Sequence, residues 1–162
     1  HHYKLNAIPS SMQIPVDAKR LEEGDHWGGE QPPTAFLDEL RTLLPKDTSW
    51  GCCEQFESDR EWGSDIRIWH DDEIEEHPIF GIELSLSAGT DGVSLLESFL
   101  SLARKFGLQF YAAQSGRVLQ PDLERIIQDF EQSTAYRFLS NAESTILDAA
   151  KYTEKKTRHR PL

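Results

Sequence analysis

The residues best suited to chemistry are His70 and His77 and the carboxylates between them, Asp71, Asp72, Glu73, Glu75 and Glu76. Imidazole and carboxylate groups ligate divalent transition metals and also exchange protons in general acid–base catalysis. The spacing fits neither use. A helical His-Glu-x-x-His pair sets its imidazoles on one face, four residues apart, whereas His70 and His77 stand seven apart in a stretch that turns. The stretch also lacks the glycine and the alternating oxygen ligands of a calcium-binding loop. A solvated acidic loop with no metal or other cofactor is therefore the expectation, and His70 and His77 are the residues a metal would take. The sequence holds no Gly-x-x-x-x-Gly-Lys phosphate loop, no Gly-x-Gly-x-x-Gly turn and no Gly-x-Ser-x-Gly nucleophile elbow. No catalytic residue is assigned.

The two cysteines, Cys52 and Cys53, are neighbours, an arrangement that ordinary disulfide geometry disfavours. Reduced thiols in a cytoplasmic protein are the simpler reading, and a vicinal redox pair is the sharper one. A zinc site would need further ligands at Cys-x-x-Cys or His-x-x-x-His spacing, and there are none.

Charge is the strongest compositional signal. The 162 residues carry a net charge of −11. Glu54 to Glu76 alone hold ten acidic residues against two basic ones, a net −8, while Lys151 to Leu162 hold five basic residues against one acidic, a net +4. So acidic a body repels phosphate backbones, which disfavours nucleic-acid binding and favours steering toward a basic protein. No apolar run approaches the roughly 20 residues that span a bilayer, and HHYKLNAIPS has no apolar signal core. A soluble protein that does not engage membranes is expected.

The elements that would position these groups follow from periodicity. Residues 1–33, with four prolines and three glycines, read as an extended arm with a short strand at Tyr3 to Ile8. Trp27 in that arm is expected to pack onto the body, with an exposed anchor for a partner as the alternative. Residues 34–153 read as a single α+β domain, and 154–162 as a basic tail. Thr34 caps a helix with a Phe36, Leu37, Leu40, Leu43, Leu44 stripe. Strands are expected over 49–56 and 64–69, and alternation of Phe80, Ile82, Leu84 and Leu86 with smaller or polar residues marks a third at 79–87. Val93 to Phe106 is a helix, Leu108 to Ala113 a strand, and Pro121 opens a helix whose stripe is Leu123, Ile126, Ile127 and Phe130. A Ser140 to Glu143 capping box precedes Ile146, Leu147, Ala149 and Ala150, which predicts a last helix.

Assembled, these give a mixed sheet of about four strands, an antiparallel meander plus a strand-helix-strand unit, with helices mainly on one face. The other face would then be open, presenting Arg67, Trp69, Glu83, Ser85, Ser87, Gln109 and Tyr111. Such a face can be merely solvated, and aromatics among charges also describe a binding surface: Trp69 and Tyr111 would then be anchors, Arg67 a further contact, and Asp59, Glu61, Asp71, Asp72, Glu73, Glu75 and Glu76 a charged rim.

Trp50-Gly51, the Asp65-Ile-Arg-Ile-Trp69 strand, the strand-helix-strand core and the Pro121-Asp122 helix start, spread over residues 34–140, resemble small acidic bacterial proteins of the immunity type that accompany delivered toxins. The resemblance implies a protein that binds and blocks a cognate toxin with no chemistry of its own; the acidic charge makes a basic partner the expectation, and the chain is expected as a monomer or homodimer. A different class stays open, a small-molecule- or metal-binding enzyme that uses the open sheet face or the His70/His77 loop.

Overall fold

Successive side chains along the strands point to opposite faces of one sheet, and each face meets different neighbours. The structure is a computed structural model that describes residues 2–47, 49–58, 63–71, 78–87, 90–133 and 136. Within them the elements run β1 (Tyr3–Pro9), α1 (Ala18–Glu22), α2 (Thr34–Leu40), β2 (Cys53–Glu57), β3 (Asp65–His70), β4 (Ile79–Leu86), α3 (Thr90–Lys105), β5 (Leu108–Ala112), β6 (Arg117–Leu119) and α4 (Leu123–Glu131).

The class is α+β, but the sheet differs from the expected one. Among the described residues it has six strands in the order β2-β3-β4-β1-β5-β6, and every neighbouring pair is antiparallel. The meander β2-β3-β4 is present. β4, α3 and β5 form the strand-helix-strand unit, yet its two parallel strands do not touch. β1, from the stretch expected as an arm, lies between them and pairs antiparallel with both, Leu5 facing Leu84 on one side and Ala112 on the other. Inserting that strand is what turns a mixed sheet into an antiparallel one. β6 adds a short edge beyond the turn at Ser115-Gly116.

One face carries the main core. Leu5, Ala7, Ile66, Ile68, Ile82, Leu84 and Phe110 pack beneath Phe36 and Leu40 of α2, Leu96 and Phe99 of α3, and Ile126 of α4. α4 starts two residues later than its proline suggested, at Leu123 rather than Pro121. Asp122 is the N-cap, its carboxylate accepting from the Arg125 amide at 2.9 Å, which satisfies one of the helix's orphan donors. The strand expected to begin at Ser49 begins at Cys53, because the chain turns tightly at Gly51 and Trp50 and Cys53 bond to each other across that turn.

The opposite face is open over only half its width. Ile8, Met12, Leu21, Tyr111 and the partly buried Val118 form a second, smaller core there, with residues 10–23 lying across β1, β5 and β6. β1 leaves β4 after Asn6, and residues 26–31 take over the freed edge of β4. The His26 amide donates to the Phe80 carbonyl at 3.2 Å, and the Gln31 side chain both donates to and accepts from the Ile79 backbone. Trp27, in the same stretch, is 2% exposed and belongs to the main core. Among the described residues no helix is long and apolar enough to cross a membrane.

Candidate functional site

The accessible half of the second face is built by β2, β3 and β4. Cross-strand registers Cys53–Trp69, Trp69–Gly81, Arg67–Gln55 and Arg67–Glu83 place these residues side by side on it. Gly81 carries no side chain, so the Trp69 ring lies over the strand with its Cδ1 3.6 Å from where a Cβ would stand. The turn at Gly51 folds Trp50 back over β2, where its ring meets Trp69 edge to face, centroids 5.5 Å apart, and its Nε1 donates to Gln55 Oε1 at 3.1 Å. Trp69 is half-buried and Trp50 is 51% exposed, so the pair is an aromatic platform with one side in solvent.

Beside the platform the charges are already paired. Lys4 Nζ lies 2.9 Å from Glu83 Oε1, Arg67 Nη1 lies 3.7 Å from the same oxygen, and Arg67 Nε lies 3.1 Å from Asp65 Oδ1. Two cations thus face two carboxylates, with the further carboxylate of Glu57 opposite Asp65 in register. Burial pushes the Asp65 carboxyl above its usual range; Arg67 pulls against that shift and Glu83 adds to it.

Of the expected binding residues, Trp69 and Arg67 stand together here and Asp71 follows on the exposed end of β3, its amide bonded to the Pro78 carbonyl. Tyr111 does not join them. It lies on the same face but is 4% exposed, because Met12 and Leu21 cover it, and its ring meets His26 at 5.9 Å. Gln109, also expected in the open, is buried beneath the same segment, donating to the Pro9 and Met12 carbonyls. A proline-rich arm gave no periodic signal that it would fold back as a lid on the sheet. Asp59, Glu61, Asp72, Glu73, Glu75, Glu76 and His77 lie outside the described residues, as do the expected last helix and the basic tail.

His70 points to the helix-covered face. Its Nε2 is 2.8 Å from Glu54 Oε2, and Arg41 at the end of α2 grips the same carboxylate through Nη2 at 2.9 Å and Nε at 3.2 Å. Burial alone would raise the Glu54 pKa, but Arg41 and His70 outweigh it and hold the carboxyl below its usual range. Arg41 and Glu54 were not singled out in the sequence; their only signal is a lone carboxylate at an inward position of β2. Among the described residues no group of three His, Cys, Asp or Glu side chains is arranged to hold a metal ion. Cys52 and Cys53 are free thiols, and burial pushes Cys53 up to about 11, so it stays protonated and a poor nucleophile at neutral pH.

Three features thus follow one another along β3: the ion cluster at Asp65 and Arg67, the tryptophan pair at Trp69, and Asp71, where the acidic connection starts. The arrangement sets an exposed aromatic pair beside charged side chains, the composition of a binding surface. Comparison of the chain with protein-family models, with curated proteins and with solved structures finds no match.

Proposed function

We propose that this protein is a non-catalytic binding protein that engages and blocks a basic protein partner, in the manner of an immunity protein neutralising a toxin. The observation that carries the reading is the Trp50–Trp69 platform, in which the exposed Trp50 indole rests against Trp69, itself two residues ahead of the acidic run that begins at Asp71. A large aromatic beside carboxylates is the composition of an interface anchor, and its ring faces also attract Arg and Lys side chains. The net −8 between Glu54 and Glu76 supplies long-range steering, which raises association rate more than it raises affinity. Lys4 and Arg67 are each held by a carboxylate, so they do not repel a basic partner from this face.

The test uses the immobilised full chain, with a wild-type form, a Trp50→Ala form, and a form in which Asp71, Asp72, Glu73, Glu75 and Glu76 become their amides. A basic protein retained from source-cell lysate at low salt, released at high salt and lost by both variants is the expected result. Equal retention by the neutralised form, or retention of no protein at all, overturns the reading.

A further inference from the structure

Among the described residues, the helix-covered side of the molecule holds an apolar groove. Val93 on α3 and Ile127 on α4 line it with Tyr3, Leu86 and Phe130, around a cavity of about 90 Å³. Val93 is 49% exposed and Ile127 38%, which is unusual for residues on the walls of one cleft. Tyr136, 41% exposed, sets its ring edge-on against Phe130 at 5.5 Å. The chain therefore passes residue 136 at the rim of the groove, with residues 137–162 still to follow.

Those residues carry what the groove lacks. After the capping box at Ser140 to Glu143, Ile146, Leu147 and Ala150 recur at the spacing that gathers side chains on one helical face, and Lys151, Lys155 and Lys156 follow directly. The groove is flanked by charge of the opposite sign: Glu97 stands four residues beyond Val93 and Glu131 four beyond Ile127, each exposed and on its neighbour's side of the helix. We propose that the chain's own segment 141–152 docks in this groove, with Ile146, Leu147 and Ala150 covering Val93 and Ile127 and the basic residues after them facing Glu97 and Glu131. This site lies on the face opposite the tryptophan platform and stands independently of the proposed partner.

The test keeps the full chain. Leu147→Asp and Ile127→Asp, made singly and together, are compared with wild type by thermal unfolding. Each single change is expected to lower Tm by roughly 5 °C, and the double variant to fall no further than the worse single one, because both remove the same contact. Methyl NMR on selectively labelled protein gives a second measurement free of any folding defect: contacts from Ile127 or Val93 methyls to Leu147 are expected, and they should persist on dilution. Additive losses, or an absence of those contacts, overturn the proposal. So do contacts seen only between labelled and unlabelled chains with a dimer by light scattering, which would assign the groove to a second copy.

Discussion

Tyr3 and Asp129 form a polar bond that ties α4 to the central strand, and removing the Tyr3 hydroxyl tests how much that bond is worth. The hydroxyl donates to Asp129 Oδ2 at 2.6 Å, both residues are buried, and the two are 126 positions apart in the chain. Burial, with the Asp129 side chain beside it, raises the Tyr3 pKa far above the ordinary tyrosine range, so the phenol keeps its proton and donates. Asp129 Oδ1 has no hydrogen bond among the described residues, and Arg117 approaches it only at 3.7 Å from a largely solvated position. Tyr3→Phe keeps the ring and its edge-on contact with Phe130 at 5.3 Å, so almost the whole loss is the bond to a buried charge. Bonds to charged groups contribute about 1.5–3 kcal/mol, and the exposed Arg117 recovers well under 1 kcal/mol of that. A loss of about 2 kcal/mol is expected, which in urea unfolding moves the midpoint down by roughly 1 M at unchanged slope. Asp129→Ala should cost a similar amount by stranding the phenol, and the Tyr3→Phe/Asp129→Ala pair should cost less than the two singles together, with a coupling of about 1–2 kcal/mol. A midpoint for Tyr3→Phe within about 0.3 M of wild type, or strictly additive singles, would refute the reasoning.

Two further outcomes follow from the geometry. His26 is held neutral mainly by burial, which lowers its pKa against the Leu21 carbonyl bond and the nearby Glu83 and Asp25. The unfolded chain therefore takes up a proton near the ordinary value of about 6.5 while the folded one does not, so stability present above that pH is lost as pH falls through it toward the lowered value. Chemical denaturation between pH 7 and pH 5 should show a fall in wild type that His26→Gln lacks; parallel profiles would sink the assignment. At Gly92 an added Cβ would stand 2.3 Å from the Ser87 carbonyl oxygen. Gly92→Ala should therefore destabilise by about 1–3 kcal/mol despite the roughly 1 kcal/mol that alanine gains in a helix, and a rise in Tm would show that the backbone yields.

How much of this was legible in the sequence depends on where each signal was stored. β4, α3 and β5 each carry a local period, and Ile82, Leu84, Phe99 and Phe110 all sit in the core where that period puts them. β1 has the same alternation, Tyr3, Leu5 and Ala7 inward, but its importance lies in pairing with residues about 80 and 107 positions away, which no window on the sequence contains. β6 is three residues long, too short for any period. The site was half legible for the same reason. Trp69 and Arg67 follow from strand parity, whereas the cover over Tyr111 and the return of Trp50 depend on irregular chain whose path is set by tertiary packing.

The place of β1 also has a consequence for how the chain is made. Its first neighbour in the sheet is completed only at Leu86, and its second only when Ala112 has been added. Translation at roughly 5–20 residues per second leaves Tyr3–Pro9 without sheet partners for about 5–20 s after it emerges. During that interval a short segment with an inward face of Tyr3, Leu5 and Ala7 offers two unpaired edges, and Ile8 adds an apolar residue on the other side. The meander of β2, β3 and β4 can assemble in the meantime, so the nascent chain holds a ready edge on β4 for the waiting strand. β1 therefore completes its pairing only after β5 has been made, and the yield of native protein rests on how well that strand is shielded until then.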